Sequence, residues 1–305
     1  MLKKALRSSK RRDKSRERTV AYRVIQELSQ IYPVQLLCQI AGVSRSGYYK
    51  WLMRQTSPSK KQIDDQALME KILQCHEIHN DIYGYLRVKT WLFQYHQLIV
   101  NHKRVYRLMK RMGIQARIRR KKQKYFGHKE AWVISKNHLN REFQATKPNE
   151  KWVTDVTYLV FDQKKHYLSV ILDLFNNEVI AYQISKRNDL KLVTDTVKMA
   201  VKKRGGNGTL LHSDQGYQYT SRQYNQLLQR FNIKASMSRK GNCLDNACAE
   251  SFFSHFKTEC FHFHQFYYES EVKHAVRKYI KFYNTDRFQK RLNNLSPLAY
   301  MAKVA

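Results

Sequence analysis

The chain has 305 residues, 42% hydrophobic and 12% aromatic, with only 10 glycines and 4 prolines; this excludes a fibrous or wholly disordered polymer and leaves room for two or three packed domains. Its 57 lysines and arginines against 24 acidic residues give a formal charge of +33, far beyond what solubility requires, and imply a polyanionic partner. No apolar run is long enough to span a bilayer, and the basic N-terminus is not followed by the apolar stretch of a secretory leader, so the expected compartment is the cytoplasm.

Residues 1–18 are nearly all charged or small and read as a basic arm, disordered until its partner is present. A helical module is expected over 19–57. Its first helix, Thr19 to Gln30, carries Val20, Val24, Ile25 and Leu28 on one face. Pro33 suits a first helical position, ahead of a stripe of Val34, Leu37, Ile40 and Ala41. Gly42 breaks that helix, Ser44 can cap the next, and Arg45 to Trp51 forms a second short helix. Helix, glycine turn and capped helix with basic and aromatic residues is the outline of a helix-turn-helix. Residues 1–150 hold 33 basic against 11 acidic residues, and 151–305 hold 24 against 13. That imbalance makes the front half the main grip on nucleic acid and Arg45 a candidate contact.

A second helical, basic module is expected over 58–125, entered by the polar linker RQTSPSKKQ. Its helices run from Ile63 to Ile78, Tyr85 to Tyr95 and His102 to Met112, the last ending at Gly113. The third helix presents Lys103, Arg104, Arg107, Lys110 and Arg111 and feeds the cluster RIRRKKQK at 117–124, which contains Arg119 and Arg120. One sign at that density, with no acid at i±4, points to phosphate contact, which positions a protein on DNA without reading its sequence. Residues 126–148 form a poorly patterned connector.

From Lys151 the periodicity becomes that of strands. KWVTDVTYLVF, HYLSVILDLF and EVIAYQIS predict three successive strands with turns at 162–165 and 176–177. A helix from Asp189 to Arg204 turns Leu192, Val193, Thr196, Val197 and Ala200 inward. The strand TLLHSD, a helix from Ser221 to Phe231, the strand IKASMS and a helix from Asp245 to Glu259 follow, and further helices from Tyr267 close the chain. The expected fold is a mixed α/β sheet with helices on both faces, preceded by all-α helix-turn-helix-like modules.

Three acids stand out in this half. Asp155 sits within an apolar strand, where an unpaired carboxylate is costly unless a charge neutralises it. Asp214 ends a short apolar run, and Glu250 follows after 35 intervening residues on a helix whose Phe252 and Phe253 must pack against something. Singly, each also reads as a loop cap, a turn residue or a solvated helix position. Together, a strand, a strand end and a helix that each offer a carboxylate suit hard divalent cations and substrate phosphates. Asn246 and Lys257 lie along the face of Glu250, and Arg239 and Lys240 flank a flexible Gly241 beside the site; all four are candidate DNA contacts. The five cysteines contain no Cys-x-x-Cys pair, and His76 and His79 lack a second pair at usable spacing, so reduced thiols and no zinc site are expected.

PNEKWVTDVTY around Asp155, HSDQGYQYTS around Asp214, SMSRKGNCLDNACAESFFSHFKTE around Glu250 and the tail YNTDRFQKRLNNLSPLAY resemble the integrase-type core of insertion-sequence transposases. The match is closest to the second-frame (OrfB-type) transposase of the insertion-sequence-three group, and YGYLR at 83–87 resembles the helical module ahead of its core. The resemblance implies a ribonuclease-H-like catalytic domain over 149–305. It implies an Asp–Asp–Glu triad of Asp155, Asp214 and Glu250 holding two Mg2+ or Mn2+ ions, and cleavage and joining of DNA strands at element ends. It also implies oligomers on DNA and, because no heptad repeat follows Met1, a first-frame partner protein or fusion. Rival readings are a nuclease of the same fold that does not join, and a DNA-binding regulator with an inactive core.

Overall fold

The computed structural model describes residues 17–57, 59–117 and 133–304. They divide into two compact units, one of residues up to 74 plus 107–112, the other of 75–106 and 113 onward.

In the first unit, helix α1 covers 17–28, followed by α2 (Val34–Ile40), α3 (Arg45–Thr56) and the start of α4 (Lys60–Ile78). Ile25, Leu37, Cys38 and Tyr48 form the core, with Tyr22, Trp51 and Leu52 packed on it. The Ser44 hydroxyl caps α3 by accepting from the Gly47 amide at 3.1 Å. A Cβ at Gly47 would lie 2.5 Å from the Tyr22 hydroxyl, so a larger residue there would push the Tyr22 side chain aside. The expected apolar stripe of α1 does not form: Ile25 is buried, whereas Val20, Val24 and Leu28 are exposed. Ile40 is likewise 76% exposed, and Cys38 takes the buried place beside Leu37. The helices are also longer than their apolar spacing indicates, α3 running on to Thr56.

In the second unit, α5 (Tyr85–His96) and the start of α6 (His102–Arg111) precede a five-stranded sheet of β1 (Lys151–Phe161), β2 (Lys164–Asp173), β3 (Val179–Ser185), β4 (Leu210–Ser213) and β5 (Lys234–Met237). The strand order is β3-β2-β1-β4-β5. β1–β2 and β2–β3 are antiparallel, whereas β1–β4 and β4–β5 are parallel. Asp162 and Gln163, at φ 42° and 56°, make the two-residue turn of the β1–β2 hairpin. The parallel strands need crossovers, supplied by α7 (Leu190–Arg204) and α8 (Arg222–Arg230). Asp189 and Ser221 cap those helices by accepting from the Leu192 and Tyr224 amides.

Alternation along β1 sends Trp152 to a core with Val193, Val197 and Leu228, and Val153 and Leu159 to a core with Phe252, Phe256 and Val276. The second core is covered by α9 (Ala247–Glu259) and α10 (Glu269–Thr285), and α11 (Pro297–Val304) ends the fold. The sheet is therefore mixed and covered on both faces, as the sequence pattern requires, with the strand order and helix placement of a ribonuclease-H-like core. Residues 133–142, within the weakly patterned connector, run along β5. The Val133 amide donates to Thr220 O, those of His138 and Leu139 to the Ser236 hydroxyl, and Leu139 enters the core. Among the described residues no helix is long and apolar enough to cross a membrane.

Candidate active site

The register of β1 with β4 pairs Val153 with His212. Two residues further on, each strand reaches an aspartate, Asp155 within β1 and Asp214 just past β4. This is the end of a parallel pair where ligands bind in α/β sheets. Asp155 is half-buried and accepts from the Val156 amide at 2.7 Å. Asp214 accepts from the Gly216 amide at 2.9 Å. A Cβ at Gly216 would meet that same carboxylate oxygen at 2.9 Å, so a larger residue there would displace the Asp214 carboxylate.

Tyr219 is fully buried, its hydroxyl 3.3 Å from Thr154 Oγ1, the neighbour of Asp155. Its phenol is pushed well above the ordinary range by burial first and then by the charges of Asp155, Tyr224 and Asp214. Both carboxylates thus act on one hydroxyl. Asp214 keeps an exposed surface, yet surrounding protein crowds its carboxyl and raises its pKa, opposed by the Gly216 amide. His212 lies buried between the Ser236 and Ser238 hydroxyls at 2.9 and 3.0 Å. Burial lowers its pKa to about 4, so a neutral imidazole ties β4 to β5 immediately before Asp214.

Glu250 arrives on α9. Asn246, at the N-terminus of that helix, is 3% exposed, and its Nδ2 donates to Thr154 O at 3.1 Å, one residue from Asp155. Glu250 is one turn further along, half-buried, in the first turn, where the helix dipole favours a carboxylate. Asp245 fixes this entry to α9. Fully buried, it accepts from the Arg239 amide, Nε and Nη2, from Arg141 Nε and from Asn137 Nδ2. The far end of α9 is anchored too. Glu259 takes two hydrogen bonds from Arg287 at 2.7 and 2.6 Å and one from Tyr279 at 2.8 Å, with Arg87 of α5 at 3.5 Å.

The structure therefore brings the elements of Asp155, Asp214 and Glu250 to one end of the sheet. Among the described residues, however, no three carboxylate, histidine or cysteine side chains close up into a group able to hold an ion. The donor chemistry fits a hard divalent cation all the same: three carboxylates, a crowded Asp214, and the buried Asn246 Oδ1, which has no hydrogen-bond partner.

The other candidate contacts are dispersed. Lys257 Nζ stands 4.4 Å from the Tyr158 ring centroid. Lys240 is exposed, whereas Arg239, read as part of a flexible basic loop, is tied to Asp245. In the first unit Arg45 and Arg111 are exposed, and Arg107 pairs with the buried Asp65 at 2.8 Å, an acid supplied by another helix rather than by i±4. Arg119 and Arg120 fall outside the described residues. His76 pairs with Asp81 at 2.8 Å and His79 stacks on Tyr83. Sequence reading passed over Tyr219, Asn137, Arg141, Asp245 and His212. Of these, Tyr219 and His212 were within reach, since HSDQGYQYTS contains both.

Two matches to an integrase core domain cover residues 145–243 and 250–304, and a match to an HTH-like domain covers 62–122, the second helical module rather than the helix-turn-helix outline at 34–51. The chain is 41% identical over 279 residues to transposase InsK for insertion sequence element IS150 of Escherichia coli (strain K12), covering 91% of this chain and 96% of the relative. It is 33% identical over 278 residues to transposase InsF for insertion sequence IS3A of the same organism, covering 90% and 96%. The magnesium complex of the HTLV-2 integrase catalytic core domain aligns with 50% of this chain and 96% of that one, at 17% identity and a TM-score of 0.40. An integrase core behind an HTH-like domain, with relatives alike over nearly their whole length, makes this chain a member of the IS3 family of insertion-sequence transposases.

Proposed function

We propose that this chain is the polynucleotidyl transferase of an insertion sequence, cutting and joining DNA strands at the element's ends with Asp155, Asp214 and Glu250 as its catalytic acids. The observation that carries the reading is the Asn246–Thr154 bond, which seats the start of α9, and with it Glu250, beside the strand that bears Asp155. The three acids would hold two Mg2+ or Mn2+ ions. When bound, such ions activate the attacking oxygen and stabilise the leaving one in an in-line displacement.

The chain's own residues position the reactants. Asp245 and Glu259 hold α9 at its two ends, Asn246 keeps its first turn against β1, and Lys257 offers an ammonium to the bound strand. Arg45, Arg111, Lys240 and the cluster with Arg119 and Arg120 grip the phosphate backbone, and Arg107 and Arg239 add charge to that surface from their ion pairs. On this reading residues 19–57 and 58–125 form DNA-binding modules ahead of a catalytic domain from 149. The transposase acts as an oligomer on DNA in the bacterial cytoplasm, alone or with a first-frame protein.

The test uses labelled candidate ends with Mg2+, Mn2+ or chelator. Asp155→Asn, Asp214→Asn and Glu250→Gln are each expected to lower cleavage and joining by about a thousandfold or more while circular dichroism stays unchanged. Full activity of Asp155→Asn would sink the proposal. Cleavage without any joined product on supplied 3′-hydroxyl ends would make the protein a nuclease.

A further inference from the structure

The β1–β2 hairpin carries a surface that the acid cluster does not account for. Tyr158 on β1 stands opposite Tyr167 on β2 and is 48% exposed. Two ammonium groups lie over its ring, Lys257 Nζ of α9 at 4.4 Å and Lys165 Nζ of β2 at 5.1 Å from the centroid. Lys165 is exposed and also stands 5.4 Å from the Tyr167 ring. Tyr217, exposed in the turn after Asp214, has its phenol pushed up by its surroundings first, then by the charge of Asp189 and last by Tyr167. Tyrosine and lysine side chains of the β1–β2 hairpin and α9 thus share one surface.

Its distance from the acids is set by two regular elements. At about 3.3 Å per residue, Tyr158 is about 10 Å along β1 from Asp155. At about 1.5 Å per residue, Lys257 is about 10 Å along α9 from Glu250. A strand and a helix that leave the acids separately therefore meet again at one ring. A DNA strand advances about 3.4 Å per nucleotide, so this meeting point lies about three nucleotides from a phosphate at the acids. Among the described residues the pairing of β1 with β4 ends at Val153, while β2 follows it to Phe161.

Resting on the function proposed above, we propose that Tyr158, with Lys165, Lys257 and Tyr167, seats an unpaired nucleotide of the DNA end about three positions from the reacting phosphate. The ring offers a face on which any base can stack, and the ammonium groups take the flanking phosphates. The occupant is a DNA strand because the exposed Lys165 and the half-buried Lys257 complement phosphate and every base has a π-face. A seat of this kind favours ends that are already unpaired and is nearly indifferent to base identity.

The experiment measures binding in an Asp155→Asn background, so that no cutting occurs, to ends carrying one unpaired or one abasic nucleotide at successive positions. The intact surface is expected to bind ends unpaired about three positions in some 5- to 50-fold more tightly than fully paired or abasic ones. Tyr158→Leu should abolish that preference and Tyr158→Trp should keep it. Lys165→Gln should keep it too, with a salt slope lower by about one. An unchanged ranking of the ends in Tyr158→Leu, whose side chain is half exposed and whose melting serves as the folding control, overturns the inference. A parent protein that neither binds nor cuts any end would refute the proposed function instead, so the two failures are distinct.

Discussion

Asp245 shows at the residue scale what spacing along a chain cannot convey. It is fully buried, and the Arg239 side chain chiefly, then Arg141 and the Arg239 amide, hold its carboxyl below the ordinary 3.8. A depressed carboxyl pKa means that the stabilisation is complete above about pH 4 and is lost as the pH falls toward the lowered value. Asp245→Ala removes the acceptor that Arg239 and Arg141 share; because both arginine heads are half exposed and water can take over their hydrogen bonds, the expected cost in urea denaturation at pH 7 is only about 1.5 kcal/mol. The same variant is expected to slow cleavage, because the entry to α9 loosens. A native-like melt at pH 7 would show that the clamp is idle. The three acids of the proposed site, Asp155, Asp214 and Glu250, each stand out in the sequence because each lies in a recognisable local string. Asp245 lies in one as well, GNCLDN, but its meaning depends on Asn137 and Arg141, a hundred residues upstream. Arg107 teaches the same point, since its acid, Asp65, belongs to another helix.

At the scale of elements, α9 is the helix on which most depends. A glutamate in the last turn opposes the helix dipole, and Glu259 tolerates that place because Arg287, with help from His255 and Arg87, holds its carboxyl ionised and low despite burial. Glu259→Gln is expected to cost about 3 kcal/mol in thermal or chemical denaturation, since the buried Arg287 keeps its charge and loses its partner. Tyr279→Phe removes one hydrogen bond to a charged group and is expected to cost only about 1.5 kcal/mol. Equal losses in the two would contradict this ranking. α7 was readable residue by residue, its five inward positions all buried, because an amphipathic helix on a sheet has one dry side. α1 was not, because Val20, Val24 and Leu28 share one broad face with Ile25 and only packing decides that Ile25 alone of the four is buried. Residues 133–142 escaped notice for another reason. Their attachments run from backbone amides to the Ser236 hydroxyl and Thr220 O, and amides leave no mark on hydrophobic periodicity.

For the whole molecule, the mixed sheet and its helices were legible because the strands alternate, the crossover helices are amphipathic and the turns carry their own residues. The charge was legible from composition alone. With a formal +33, DNA affinity is expected to fall about a thousandfold between 50 and 200 mM salt if six phosphates are neutralised. A flat response in a fluorescence-anisotropy titration would remove the electrostatic grip.

Glu259 draws together side chains numbered 87, 279 and 287, so the catalytic helix is secured only when nearly the whole sequence is available to it. A ribosome that stalls, or a protease that cuts, between Glu259 and Arg287 leaves a fragment with all three acids but with the Glu259 carboxylate deprived of its arginine. Such fragments are expected to be inert toward chromosomal DNA, which places a safeguard against stray breakage in the order of synthesis itself.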